Sequence, residues 1–356
     1  MKPQIIKIDG SYGEGGGQIL RSTLTLAAIL GKPIHITNIR AGRKKPGLQP
    51  QHLTGVRAVA EICNGKLEGD ELLSTEIKFT PGEIKSGNYE FDVMKVRSSA
   101  GSTGMIFQQA APVLAFAKEK SNLTLRGGTH VPWAPPIDYL AKVFLPTLFD
   151  MGFHAKIETI NWGWYPMGQG EVKAEIHPFK DSLSPILLNE RGQLKRISGV
   201  SAVCHLPMSI AERQKDQGYG KLRDKKFRSD IELLSVPGLG QGTFFFIMAE
   251  FENALAGFSS LGKRGKPAEE VADDAVNEFL TYYKTEAAIE KHLGDQLILY
   301  MALAKGKSSF TVSEISSHIL TNIWAVEQFL PVKFEVKGNL GGSGEVAVEG
   351  VGLELR

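Results

Sequence analysis

The sequence predicts an α/β (α+β) protein: three repeated βαβαββ units form one large domain, with a smaller α/β domain inserted before the third. Three observations predict it. Short β-prone runs alternate with segments whose apolar residues recur at spacings of three and four, the mark of helices with one buried face. The same order of elements returns three times along the chain. Glycine is also abundant, at 39 of 356 residues against ordinary usage of ~7%, and it clusters between elements rather than following a collagen-like period.

The first unit reads as a strand at Gln4 to Ile8, a glycine loop, a helix over Gly17 to Leu30 and a strand at Ile34 to Ile39. A basic loop, a helix over Pro50 to Cys63 and two short strands to about Phe79 complete it. Leu20, Leu24, Ala27 and Ala28 line one helix face, and Leu53, Val56, Val59 and Ala60 line the other helix's. The second unit runs through a strand at Tyr89 to Val93, a helix over Gly104 to Ala117 and a strand at Leu123 to Arg126. A Gly-Gly-Thr loop, a helix over Ile137 to Met151 and two strands ending near Ile176 follow. The third unit has helices at Asp295 to Ala304 and Ile319 to Phe329, with strands at Phe310 to Val312, Val332 to Val336 and Glu345 to Val348. The large domain is therefore expected over 1–185 and 290–356, and the inserted one over 186–289. The insertion carries a Lys/Arg-rich run (Arg213 to Arg228), a strand (Thr243 to Glu250) and a closing helix (Pro267 to Lys284). Units of this length are too long for a solenoid of short repeats.

Composition narrows the function classes. With 42% hydrophobic and 22% charged residues, the chain can bury a core and is no disordered protein. A net charge of +2 rules out a globally basic nucleic-acid binder, so any such binding must come from local clusters. Cys63 and Cys204 are distant and flanked by apolar residues, which argues for reduced core thiols and against a disulfide framework or zinc ribbon. The first residues meet an acid and a glycine run before any long apolar stretch. No signal or membrane helix is expected there, and the cytoplasm is the expected compartment, or the nucleus in a eukaryote.

Four segments could carry chemistry. Asp9-Gly-Ser-Tyr-Gly-Glu14-Gly-Gly-Gly-Gln18 joins a strand to a helix, and consecutive glycines can curl backbone N–H groups around an anion. It lacks the Gly-Lys-Ser/Thr ending of a P-loop. Glu14 inside such a loop makes sense if a divalent cation bridges it to phosphate oxygens; a tight turn with a solvated acid is the other reading. In Arg40-Ala-Gly-Arg43-Lys-Lys-Pro-Gly-Leu-Gln-Pro-Gln51-His52, Arg40 and Arg43 can present bidentate donors to a phosphate, joined by Arg21 from the first helix. Lys44 and Lys45 read as solvated loop charge. Asp295 and Gln296, in Glu290-Lys-His292-Leu-Gly-Asp-Gln, are placed at a helix N-terminus, where capping would explain one of the two. His318, in Ser-Ser-His-Ile-Leu-Thr-Asn322, sits where a helix begins, and the dipole there keeps an imidazole neutral and its lone pair available. A structural histidine remains the alternative. The remaining histidines show no ligand spacing, so no zinc site is expected, though His52 could contact phosphate. Gln108 and Pro135, beside the Gly101-Ser-Thr-Gly104 and Gly127-Gly-Thr129 loops, could face a ligand or serve as scaffold.

Together these segments resemble the RNA 3′-terminal phosphate cyclase family. The resemblance spans nearly the whole chain: EGGGQILRS, IRAGRKKPGLQPQHL, the Ser-Thr-Gly and Gly-Gly-Thr segments, FSSLGKRG, HLGDQL and the histidine before LTNIWAVEQFLPVKF. It implies ATP-dependent conversion of an RNA 3′-phosphate end into a 2′,3′-cyclic phosphate, releasing AMP and pyrophosphate, with Mg2+ or Mn2+. By the same resemblance, His318 matches the histidine that carries AMP. His292, Leu293, Gly294, Asp295 and Gln296 match the nucleotide-pocket segment, and Gln108 and Pro135 match nucleotide contacts. Glu14 matches the carboxylate near metal and triphosphate, while Arg21, Arg40, Arg43 and Gln51, with His52 less firmly placed, match the cluster around the RNA terminal phosphate. Gly294 stands where Ala is more usual, which should loosen that helix start. No obligate protein partner is implied. A cyclase-like protein of ribosome assembly and an enolpyruvyl transferase are the competing readings.

Overall fold

Strands and helices follow the expected order. In the computed structural model, which describes residues 4–355, the first group comprises β1 (Ile6–Asp9), α1 (Gly17–Leu30), β2 (Ile34–Thr37), α2 (Pro50–Ile62), β3 (Lys66–Glu68) and β4 (Ile77–Thr80). Next come β5 (Asn88–Asp92), α3 (Thr103–Leu114) and β6 (Ser121–Gly127). A helical run of α4 (Ile137–Tyr139), one π turn and α5 (Leu145–Phe149) leads to β7 (Ala155–Asn161) and β8 (Gly170–Ile176). Then follow β9 (Leu187–Leu188), β10 (Leu194–Cys204), α6 (Met208–Asp224), β11 (Ser229–Ser235), β12 (Gly242–Phe251), β13 (Leu255–Leu261) and α7 (Ala268–Lys284). The last group is α8 (Lys291–Leu303), β14 (Lys305–Val312), α9 (Ser317–Glu327), β15 (Glu335–Lys337) and β16 (Gly344–Val351).

The class is mixed α/β, with four four-stranded sheets. Three of them share one order: β1-β2-β4-β3, β5-β6-β8-β7 and β9-β14-β16-β15. In each the first two strands run parallel and the others antiparallel. Leu187–Leu188 falls inside the stretch expected for the insertion, yet pairs with Ser309 and Phe310 of β14. That two-residue strand supplies the parallel partner the third group otherwise lacks. The fourth sheet, β11-β10-β12-β13, is the insertion's own.

Burial explains how these parts hold together. Helix α1 is apolar around most of its circumference, with Leu20, Leu24, Leu26 and Ala27 all buried, so it cannot be a surface helix. It packs against α2, α3 and α9. In β12, Phe244, Phe245 and Phe246 alternate across the sheet. Phe245 joins Val271, Ala275 and Phe279 of α7 in one cluster, while Phe244 and Phe246 join the main core. Phe244 meets Trp162 edge-on at 5.8 Å. Both faces of this sheet are thus covered.

Two helix starts differ from the expectation in ways that matter for the site. Helix α8 begins at Lys291, four residues before Asp295, and its cap is Glu290, whose carboxylate accepts from His292 N (2.6 Å) and Leu293 N (2.7 Å). Asp295 and Gln296 therefore do not cap; they project from the second turn. Helix α9 begins at Ser317, so His318 lies within its first turn, behind the Ser316 cap whose Oγ accepts from Ile319 N at 3.2 Å.

Candidate active site

The loop after β1 is bent by Gly13 (φ +58°) and Gly15 (φ +56°), a conformation glycine adopts without steric cost. A Cβ at Gly13 would lie 2.4 Å from Thr321 Oγ1, so the loop rests directly on α9. Tyr12 stacks on Trp324 of the same helix at 4.0 Å and 9°. This contact carries Glu14 to His318, whose Nε2 is 3.1 Å from Glu14 Oε2. Ser317 Oγ also donates to Glu14, and Arg43 Nη2 stands 3.3 Å away. The N-terminus of α1 at Gly16 has no side-chain cap, so its backbone donors face the same loop.

Charge around His318 is balanced against protonation. Burial lowers its pKa first; Glu14 opposes, while Arg21, His292 and Arg43 add to the lowering. The ring is held neutral at physiological pH.

Beside this cluster opens a small cavity of about 60 Å³ lined by Arg21, Ser22, Gln108, Asp295, Gln296 and Asn322, among others. Its walls are unusually strained electrostatically. Burial pushes the Asp295 carboxyl up to about 7, against the pull of His292 and Arg21 and helped by Glu290 and Glu14. Arg21 is destabilised by burial and only partly compensated by Asp295, and it forms no ion pair among the described residues. Gln296 Oε1 is buried without a partner among the described residues. Asn322 joins the walls, accepting from Ser22 Oγ at 2.9 Å and donating to Asp295 O at 3.0 Å.

Several expected site residues are engaged elsewhere. Arg40, at φ +56°, braces its own loop, with Nη1 donating to Gly47 O at 3.0 Å and to Lys45 O. Gln51 Oε1 accepts from Ser102 N at 2.6 Å, and its amide faces Met105 Sδ at 2.9 Å. His52 Nδ1 accepts from Gln49 N at 3.2 Å in a capping box. Burial, then Arg40 and Arg21, push its pKa down to about 3, so it is no cation for a phosphate. Pro135 is half-buried beside Gly104. His292 is exposed and 3.6 Å from Glu278; burial works against its charge, but Glu278, Glu290 and Asp295 outweigh it and push it up to about 9. Leu293 is a core residue. A Cβ at Gly294 would come within 3.0 Å of Val312 Cγ2 and 3.1 Å of Ile319 Cδ1. Instead of loosening a helix start, that glycine lets α8 approach β14 and α9.

Sequence reasoning missed the roles of Ser317, Asn322, Tyr12 and Glu290. A signal existed for two: His318 and Asn322 are spaced by four on one helix face, and Glu290 precedes the helical run as an acidic cap. Nothing local announced the Tyr12–Trp324 stack, which joins distant segments. Among the described residues no three His, Cys, Asp or Glu side chains gather as a metal cluster, and no helix is long and apolar enough to cross a membrane.

Residues 12–336 match the family model described as RNA 3′-terminal phosphate cyclase. Curated relatives carrying that name include one from Gloeothece citriformis, 44% identical over 91% of this chain and 93% of its own. One from Methylococcus capsulatus is 41% identical over 97% of each chain, and one from Pyrococcus furiosus is 41% identical over 97% of this chain and 98% of its own.

Proposed function

The chain belongs to the RNA 3′-terminal phosphate cyclase family, and from that premise we propose that it converts RNA 3′-phosphate ends to 2′,3′-cyclic phosphates at the expense of ATP. The observation that carries the proposal is the placement of His318, in the first turn of its helix, 3.1 Å from Glu14 and beside a cavity walled by Arg21 and Asp295. A neutral imidazole can attack phosphorus; an imidazolium cannot.

Three steps follow. His318 attacks the α-phosphorus of ATP, forming an N–P bond as the bond to pyrophosphate breaks. The RNA 3′-phosphate, oriented by Arg21 and Arg43, then takes AMP from the histidine, which regains its lone pair. Finally the neighbouring 2′-hydroxyl attacks the activated phosphate, loses its proton and expels AMP. That last step is intramolecular, for which effective molarities reach about 10⁵ to 10⁸ M. Arg21 suits the anionic substrate because it is half-buried, forms no ion pair among the described residues and is only partly compensated by Asp295, so a phosphate would relieve its desolvation. Around the cavity, Gln108, Asp295 and Gln296 offer polar atoms to a nucleotide.

A magnesium-type cation fits Glu14, since such ions take one or two carboxylates and complete their shell with substrate phosphates and water. When bound it would offset the charge of pyrophosphate. Glu14 meanwhile stands 3.1 Å from His318 Nε2 and opposes the lowering of its pKa. Arg40, Gln51 and His52 support the phosphate site by holding its loops in place. We assign residues 189–289 to a separate inserted domain, starting after β9.

A strand of DNA ending in a 3′-phosphate tests the order of steps. Lacking the 2′-hydroxyl, it should accumulate as an adenylated end, seen as a shift of one AMP on a sequencing gel. A cyclised DNA product would contradict the scheme.

A further inference from the structure

Four large apolar side chains stand in solvent at one end of the second sheet: Trp133 (92% exposed), Leu239 (68%), Tyr165 (67%) and Met167 (46%). Single exposed apolar residues need no explanation, but these rise from three loops laid side by side. Trp133 follows β6, Tyr165 and Met167 lie in the β7–β8 connection, and Leu239 lies between β11 and β12. Backbone bridges tie His130 to Trp164 and Trp162 to Gly238, and a Cβ at Gly240 would sit 4.0 Å from Met167 Sδ. Trp133 is also in the left-handed region, at φ +61°, which is costly for a bulky residue. Its ring receives no burial in return. Neither packing nor backbone preference accounts for the position, whereas a partner would.

The patch is continuous with the phosphate site. A Cβ at Gly168, next to Met167, would lie 3.0 Å from both Ala100 Cα and Ser99 O, and one at Gly101 would lie 2.8 Å from Gln51 Cβ. Gln51 in turn holds Ser102 N and shares Met105 Sδ with Arg21. The linking loop presents Arg97, which is exposed and forms no ion pair among the described residues. Aromatic rings, a free cation and a short path to the terminal-phosphate cluster are the features of a single-strand platform, because every base has a π face and the backbone is anionic.

We propose that Trp133 and Tyr165, bordered by Met167 and Leu239, stack the bases of the nucleotides just upstream of the RNA 3′-phosphate. The inference rests on the RNA reading of the site. It makes the enzyme sensitive to strand length and tolerant of sequence, since stacking does not read base edges.

Fluorescence anisotropy on fluorescein-labelled, 3′-phosphorylated RNA of six nucleotides tests it, with a labelled single nucleoside 3′-phosphate as the short probe. Trp133→Ala and Tyr165→Ala should each raise Kd for the six-mer about tenfold, Trp133→Phe should restore most of it, and the short probe should bind all variants alike. Label transfer from α-labelled ATP to each variant should match the parent chain. An unchanged six-mer Kd, as expected if the patch serves a protein instead, would overturn the proposal. So would an equal loss for both probes, or loss of label transfer, which would give the rings to the ATP site. Cyclisation is scored separately: a parent chain that binds the six-mer without cyclising it contradicts the reaction, and the ring variants still decide the platform.

Discussion

His318 and Glu14 are 304 positions apart in the chain and 3.1 Å apart in space, and in the proposed mechanism their pairing sets the reactivity of the site. Glu14 is the group that opposes the lowering of the His318 pKa. Replacing it by Gln should therefore move that pKa further down. Because attack requires the neutral ring, the rate of label transfer from ATP should be flat near neutrality and fall as pH drops through the lowered pKa. In Glu14→Gln the fall should begin at a still lower pH, alongside a smaller maximal rate. A pH profile of single-turnover adenylation checks this; an inflection moving upward would contradict the assigned electrostatics. At this scale the sequence was informative about residue type and incomplete about partnership. A histidine in the first turn of a helix, a carboxylate in a glycine loop and arginines after a strand could all be read. Which of them touch depends on how α1 and α9 pack, and no local pattern encodes that. Gln51 and His52 illustrate the limit: both are polar and close to the arginines in sequence, yet the Gln51 amide is engaged with Ser102 and Met105 and His52 Nδ1 with Gln49.

At the scale of elements, the site is assembled by one contact between the first glycine loop and α9. Gly13 against Thr321 and Tyr12 against Trp324 fasten the carboxylate loop to the helix that carries the histidine. Stacked aromatic pairs contribute about 0.5–1.5 kcal/mol beyond their area, enough to shift a loop between ordered and displaced positions. Tyr12→Ala should therefore slow adenylation roughly tenfold, whereas Tyr12→Phe should keep most of the parent rate and the thermal stability of both should stay near the parent's. Equal rates for Ala and Phe variants would remove the stack from the account. Elements themselves were largely legible, because their apolar spacing is local. Their ends were not. Helix α8 starts before the Asp295-Gln296 pair because Glu290 provides a better cap, and β9 is only two residues long, too short to carry a period.

Across the whole molecule, a net charge of +2 leaves RNA binding to local groups of cations. From sequence the insertion's basic run could guide RNA or form an ordinary solvated surface; in the structure Arg213 meets Glu269 at 2.7 Å and Lys221 meets Asp273 at 2.7 Å. Two of the seven cations of that run thus hold α6 to α7. Arg213→Ala should leave RNA affinity unchanged, and the dependence of log K on log salt should be shallow, with a slope of about −2, since single strands lose ~0.7 per phosphate contact. A slope of roughly −5 or steeper would mean that a far larger basic surface is in use. The near-neutral total charge was legible at once; the pairing of Arg213 with Glu269 needed the packing of two helices and joins residues 56 positions apart. The most direct test of the assigned chemistry is intact-protein mass after incubation with ATP and magnesium. The parent chain should gain the mass of one AMP, and His318→Ala should gain none; retained adenylation of the variant would contradict the assignment of His318 as nucleophile.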